Sequence, residues 1–297
     1  MNILSIQSVS KNYHNHKAVD NVSFDVPEGS IFGLLGPNGA GKTSLIRIIT
    51  TITGADSGKI ILDGQPIDET TPAKIGYMPE ERGLYKKMKV AEQLLYLAQL
   101  KGLSKKEATE EIKYWFNKFD IADWWNKKID ELSKGMQQKI QFIATVIHRP
   151  KLLILDEPFS GLDPVNTNLI KDEIHKLNDD GTTIIFSTHR MEQVEEICER
   201  IVLINKGSII LEGGVEEVKQ RFKENLFKIE STHEIPTIHE SAAFRIIKKN
   251  ANEVIFKVSQ GHDPNELLSS LIQQGIQIRS YNEILPSLND IFIKQVS

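Results

Sequence analysis

The stretch Gly36-Pro37-Asn38-Gly39-Ala40-Gly41-Lys42-Thr43 constrains this chain more than any other. It fits the pattern G-x-x-x-x-G-K-[ST], a loop that wraps phosphate groups in backbone N–H donors. Glycines are needed because the backbone must turn inward with no side chain in the way. A helix is expected to open at the end of the loop and to aim its positive pole at the anion. Lys42 is then expected to reach the β- and γ-phosphates, and Thr43 to offer its hydroxyl to magnesium. The apolar run Ser30-Ile31-Phe32-Gly33-Leu34-Leu35 just before the loop reads as a buried strand. The pattern therefore stands where its chemistry requires, between a strand and a helix.

The same alternation recurs along the chain. Lys151-Leu152-Leu153-Ile154-Leu155 and Thr182-Thr183-Ile184-Ile185-Phe186 are short β-branched or apolar runs, each followed by helical periodicity. This predicts an α/β fold built on a mainly parallel sheet; together with the phosphate loop it resembles the P-loop NTPase kind. The first 30 or so residues differ: Ile3 to Val9 and Val22 to Val26 read as antiparallel strands joined by a turn-rich segment. Asp63-Gly64 and Lys206-Gly207 mark further turns. Residues about 88–146 carry helical spacing without a strand signal, and Ser104 with Glu107 forms a capping-box start. From about residue 225 alternation returns at Phe227-Lys228-Ile229 and at Val254 to Val258, followed by a helical stretch from Pro264 to Gln274. The expected organisation is a domain over 1–222 with a helical subdomain at about 88–146, then a small α+β domain over 223–297.

Composition removes other classes. The formal net charge is −4, so nothing in the electrostatics calls for nucleic acid as a partner. The single cysteine, Cys198, excludes a disulfide framework, fits a reducing compartment and reads as a small buried hydrophobe. The start of the chain has no signal-peptide pattern. No apolar run reaches the ~20 residues that span a bilayer; work at a membrane would need another chain to cross it.

Two acids end the apolar run Leu152-Leu153-Ile154-Leu155-Asp156-Glu157. With a phosphate loop present, Asp156 is expected to hold magnesium and Glu157 to act as general base on the attacking water. Further motifs then arrive in the order found in ABC ATPases, which this chain resembles. Leu132-Ser133-Lys134-Gly135-Met136-Gln137-Gln138 resembles the signature L-S-G-G-Q, with Lys134 in place of a glycine and Met136 in place of the glutamine. Ser160-Gly161-Leu162-Asp163 resembles the D-loop, and Ser187-Thr188-His189 the segment carrying the switch histidine. Tyr13 stands where the family has an aromatic residue that stacks on adenine. Gly76 to Tyr85, with the sequence G-Y-M-P-E-E-R-G-L-Y, aligns with the Q-loop but has Glu80 where glutamine is usual. A carboxylate can ligate magnesium there as a glutamine carbonyl does, with added charge.

The resemblance implies ATP and Mg2+ as cofactors and ATP hydrolysis as the activity. It implies that Tyr13, the loop Gly36, Pro37, Asn38, Gly39, Ala40, Gly41, Lys42, Thr43, the following Ser44, and Ser133 with Gly135 bind the nucleotide. Thr43, Glu80 and Asp156 would be the metal residues, and Glu157, His189 and Lys42 the catalytic ones. A second ATPase subunit, a homodimer partner by expectation, would bring its Ser133 and Gly135 to the γ-phosphate. A polytopic membrane permease would be the other partner, with the chain peripheral on the cytoplasmic face of the cell membrane. Glu80 in P-E-E-R-G-L-Y, L-S-K-G-M-Q-Q-K and Leu285 to Phe292 narrow the resemblance to the Nat-type branch of ABC-2 exporters, with sodium or another cation as cargo. An importer ATPase, or an ABC ATPase acting on ribosomes, are the alternatives.

Overall fold

Two long strands, β1 (Asn2–Tyr13) and β2 (His16–Pro27), fold back on each other as an antiparallel pair in the computed structural model, which describes residues 1–14, 16–81 and 83–296. In β2, Val22, Phe24 and Val26 are buried while Ser23 and Asp25 are exposed, the alternation of a sheet with one wet face. The segment expected to be turn-rich is instead strand almost throughout. Register shifts between Ile6 and Asn12 break the period-two pattern there, which hides strand character from a reading by alternation. The next strand, β3 (Ile31–Leu35), leaves for a second sheet. The chain then returns with β4 (Ser57–Leu62) and β5 (Gln65–Pro66), giving a first sheet of order β2-β1-β4-β5.

The second sheet gathers β6 (Ile75–Met78), β7 (Leu152–Asp156), β8 (Thr183–Thr188), β9 (Arg200–Asn205) and β10 (Ser208–Gly214) around β3, in the order β10-β9-β3-β8-β7-β6. Every pair is parallel except the β9–β10 hairpin, which turns at Lys206-Gly207. All residues of β3, β7 and β8 are buried. Covered on both faces, such strands read as continuous apolar runs, which is why the sequence reveals them. Phe24 of the first sheet and Phe32 of the second stack at 5.4 Å, joining the two in one core.

Helix α1 (Lys42–Ile49) follows β3, and the short α2 (Thr71–Lys74) leads into β6. Between β6 and β7 lie α3 (Val90–Leu100), α4 (Lys105–Lys118) and α5 (Lys134–Val146). Ser104 closes the capping box with Glu107, accepting its N–H at 3.3 Å while its own N–H donates to Glu107 Oε2 at 2.8 Å. Trp115 of α4 meets Phe142 of α5 edge-on at 6.1 Å. Helices α6 (Pro164–Asp179) and α7 (Met191–Ile197) follow β7 and β8.

The chain falls into two compact units, Met1–Gly214 and Val215–Ser297. The second holds α8 (Val215–Arg221), β11 (Leu226–Ser231), β12 (Phe244–Lys249), β13 (Glu253–Val258), α9 (Asn265–Gln273), β14 (Ile278–Ile284) and α10 (Leu288–Val296). Its four strands form one antiparallel sheet, β12-β13-β11-β14. Alternate residues Phe227, Ile229, Val254, Phe256 and Val258 pack with Leu267 and Leu271 of α9. Pro264 caps α9 with a φ of −61°, already helical. Among the described residues no helix is long and apolar enough to cross a membrane.

Candidate nucleotide site

The carboxyl ends of β3, β8 and β7 lie side by side, which in an open α/β sheet is where ligands bind. The loop from β3 to α1 rises over them. Gly36 and Gly41 show why it must be glycine. At Gly41, with φ +109°, a Cβ would lie 2.1 Å from the carbonyl oxygen of Ala18; at Gly36, with φ +150°, it would lie 2.2 Å from that of Ile204. No side chain fits either place, and the positive φ is one that only glycine adopts at low cost. Helix α1 has no acidic residue in its first turn and no side-chain cap, so its orphan N–H groups stay available to an anion.

A cleft of about 370 Å3 opens at this point, and its wall includes Asn38, Gly39, Ala40, Gly41, Lys42, Thr43 and Ser44. Tyr13 borders the same cleft from the end of β1, 39% exposed, with the Lys11 ammonium 5.7 Å from its ring centre. Glu80, Asp156, Glu157 and His189 line the same cleft. Gly36 and Pro37 do not border the cleft; their carbonyls instead accept from the Lys42 ammonium at 2.6 and 3.1 Å. Burial pushes the Lys42 ammonium below its usual pKa, and Asp156, Glu157 and Glu80 oppose that shift.

Sheet register sets the acid pair. Asp156 of β7 is the parallel neighbour of Ser187 of β8, whose hydroxyl donates to Asp156 Oδ1 at 2.8 Å. Burial raises the Asp156 carboxyl above its usual range, partly offset by that hydrogen bond. Glu157 leaves the strand with φ +51°, a left-handed conformation uncommon outside glycine. The turn is locked by its N–H, which donates to the Ser187 carbonyl at 2.9 Å. Its carboxylate then receives the Thr188 hydroxyl on Oε2 at 3.1 Å and the His189 backbone N–H on Oε1 at 2.9 Å. His189 Nδ1 also lies 2.6 Å from Oε1.

Thr43, Asp156 and Glu80 are hard oxygen donors on one cleft, the set that magnesium takes together with substrate phosphates. The residues therefore fit ATP with magnesium. Arg82, part of the P-E-E-R-G-L-Y run, lies outside the described residues.

Ser133 and Gly135 do not border this cleft. Ser133 is the N-cap of α5, its hydroxyl accepting the Met136 N–H at 3.3 Å, and it stands exposed. Gly135 sits against the Ser160–Asp163 segment: a Cβ there would lie 3.4 Å from the Gly161 carbonyl oxygen. Sequence reasoning missed His16, which also lines the cleft, and gave Ser187 and Thr188 no separate role. The latter pair had a signal, two hydroxyl residues at the end of an apolar strand directly before His189.

Known proteins resemble this chain over almost its whole length. A family model described as ABC transporter matches residues 19–160, and one described as ATP-binding protein DrrA1-3-like, C-terminal domain, matches residues 213–296. YhaQ of Bacillus subtilis (strain 168), an uncharacterized ABC transporter ATP-binding protein, is 45% identical over 294 residues, 99% of this chain and 98% of its own length. The ABC transporter ATP-binding protein NatA of the same organism is 35% identical over 208 residues, covering 68% of this chain and 84% of NatA. A solved structure of an ATP binding subunit of an ABC transporter superposes with a TM-score of 0.70 at 28% identity, over 74% of this chain and 93% of that one.

Proposed function

The chain belongs to the ABC transporter family of ATP-binding subunits, whose members hydrolyse ATP, and we propose that this one powers export through a separate membrane-spanning partner. In this reading two copies close face to face, and each nucleotide is finished by the other copy's Ser133 and Gly135. The observation that carries it is the separation within one chain. Lys42, Thr43, Asp156, Glu157 and His189 share a cleft that Ser133 and Gly135 do not border, while Ser133 stands exposed at a helix N-terminus. Such a terminus suits an anion that a second chain presents.

Within the cleft, Tyr13 would support the adenine. The backbone from Asn38 to Ser44 and the Lys42 ammonium would hold the phosphates. Thr43, Asp156 and Glu80 would hold magnesium, which when bound neutralises charge on the β- and γ-phosphate oxygens. Glu157 would take a proton from the attacking water, with His189 fixing the carboxylate that does so. Closure would bring Ser133 and Gly135 of the second copy to the place where negative charge develops, and such preorganised donors carry most of phosphoryl-transfer catalysis.

The exporter reading draws on two features: the C-terminal match to a DrrA1-3-like domain and Glu80 with its Nat-type surroundings. Sodium or another cation is the cargo we propose. The test is affinity purification of the Glu157→Gln protein, with ATP, from detergent-solubilised membranes of its own cells. A polytopic membrane protein recovered in equal amount is expected, and sodium efflux in vesicles carrying that pair is the assay to follow. Recovery of ribosomes or other soluble partners without a membrane protein would overturn the transport role while leaving the ATPase standing.

A further inference from the structure

Helix α5, the helix that Ser133 caps, carries two glutamines on one buried face, Gln138 and Gln141, with only 1% and 5% exposure. Gln138 Nε2 donates to the carbonyl of Pro158 at 2.9 Å, the residue after Glu157. Gln141 Nε2 donates to the carbonyl of Pro79 at 2.7 Å, the residue before Glu80. One turn of one helix therefore grips the backbone beside both acids. In each glutamine the Oε1 atom is buried and has no hydrogen-bond partner among the described residues. Burying an unpaired amide oxygen is unfavourable, and an apolar side chain would fill either place without that cost. What the amides add is their hold on the two carbonyls.

The helix itself is tightly seated. A Cβ on Gly76 of β6 would lie 2.5 Å from the Thr145 carbonyl oxygen, so α5 presses its backbone against the strand that leads to Glu80. Near its other end Gly135 packs against Gly161. A shift of α5 must therefore be felt at these contacts.

We propose that Gln138 and Gln141 are positioning residues, which tie the Glu157 turn and the Glu80 loop to the helix that presents Ser133. The inference rests on the roles proposed above for Glu157, Glu80 and Ser133. Seating Ser133 on the second copy's nucleotide sets the place of α5. Through Pro158 and Pro79 that place sets Glu157 and Glu80 in the chain's own cleft. Each site is thus aligned only when its chain has engaged the other.

The test uses the full chain with Gln138→Met and Gln141→Met, which keep side-chain length and remove the donor. Gln141→Lys restores a donor to Pro79. Four quantities are read: kcat, the magnesium concentration for half-maximal hydrolysis, binding of a fluorescent ATP analogue without metal, and the thermal unfolding midpoint. A fifth readout needs no turnover: manganese binding to the ATP-loaded Glu157→Gln protein, with and without Gln141→Met, followed by the resonance of free Mn2+. Gln138→Met is expected to lower kcat about 10-fold or more with analogue binding within about 2-fold. Gln141→Met is expected to raise the metal requirement and weaken manganese binding several-fold, and Gln141→Lys to recover most of the loss. Unchanged kcat and metal requirement overturn the inference. So does a loss of activity matched by equal losses in analogue binding and unfolding midpoint, which would mark the glutamines as packing alone. Normal turnover by Glu157→Gln, measured beside them, would instead refute the reading of the site, and this inference with it.

Discussion

Glu157 and His189 meet at one carboxylate oxygen: the His189 backbone N–H donates to Glu157 Oε1 at 2.9 Å, and His189 Nδ1 lies 2.6 Å from the same atom. An ionised carboxylate only accepts, so this contact selects the tautomer with the proton on Nδ1. The Thr188 hydroxyl holds the other oxygen at 3.1 Å. The end of β8 thus fixes both oxygens of the acid that follows β7, in a backbone conformation with φ +51°. A carboxylate held this firmly at the cleft wall suits a base that must meet water in one orientation.

Glu157→Gln keeps the shape and most hydrogen bonds but cannot accept a proton. It should bind ATP as the wild type does and lose about 10²- to 10⁴-fold in kcat, the range for removal of a general base. Single-turnover hydrolysis of radiolabelled ATP checks this.

Gly41→Ala tests the loop. The new Cβ would meet the Ala18 carbonyl oxygen at 2.1 Å with φ at +109°, so the loop must open. ATP affinity should fall by at least about 10-fold, or ~1.4 kcal/mol, in a titration with a fluorescent analogue. Gly39→Ala meets no atom of the described residues within 4 Å, although its φ of +78° still strains the turn, and should lose less.

Glu80→Gln replaces the charged metal ligand proposed above by glutamine, the residue usual at this place in the family. The magnesium concentration for half-maximal hydrolysis should rise about 3- to 10-fold, ~1 kcal/mol, with nucleotide binding in the absence of metal unchanged or stronger.

His148 makes stability depend on pH. Burial, and then the nearby Lys101 ammonium, push its pKa from 6.5 down to about 4. Its Nε2 contacts the Ile75 carbonyl at 3.3 Å, and its Nδ1 is buried with no partner among the described residues, so the folded ring stays neutral. The folded pKa is the lower one, so the unfolded chain takes up the proton first as pH falls. Stability from this group is complete above about pH 6.5 and is lost as pH drops towards 4. The loss is at most about 3 kcal/mol, and less for the part of the ring that solvent reaches. Urea midpoints at pH 7 and pH 5 should diverge more for the wild type than for His148→Gln, which keeps a donor for Ile75.

Much of this was legible in residue types. The loop from Gly36 to Thr43 can be read because its backbone path excludes side chains at Gly36 and Gly41, and β3, β7 and β8 because burial on both faces leaves them almost wholly apolar. The pairing of Asp156 with Ser187 depends on β7 and β8 being neighbours in register, which no local pattern reveals. Gln138 and Gln141 look like polar positions on an exposed helix face until α5 is placed against Pro158 and Pro79. In the second unit β12 and β14 are hard to read because these edge strands hold only half-buried and exposed residues, which blurs the alternation. The β1–β2 hairpin was longer than expected because its register shifts interrupt the period.

The most direct test of the account is the mass of the Glu157→Gln protein in solution, measured by light scattering with saturating ATP, with ADP, and with Ser133→Arg added. The account expects twice the monomer mass with ATP, the monomer with ADP, and the monomer again with ATP once Ser133→Arg blocks the second half of the site. A protein that binds ATP fully yet stays monomeric would contradict the claim that a second copy's Ser133 completes each site.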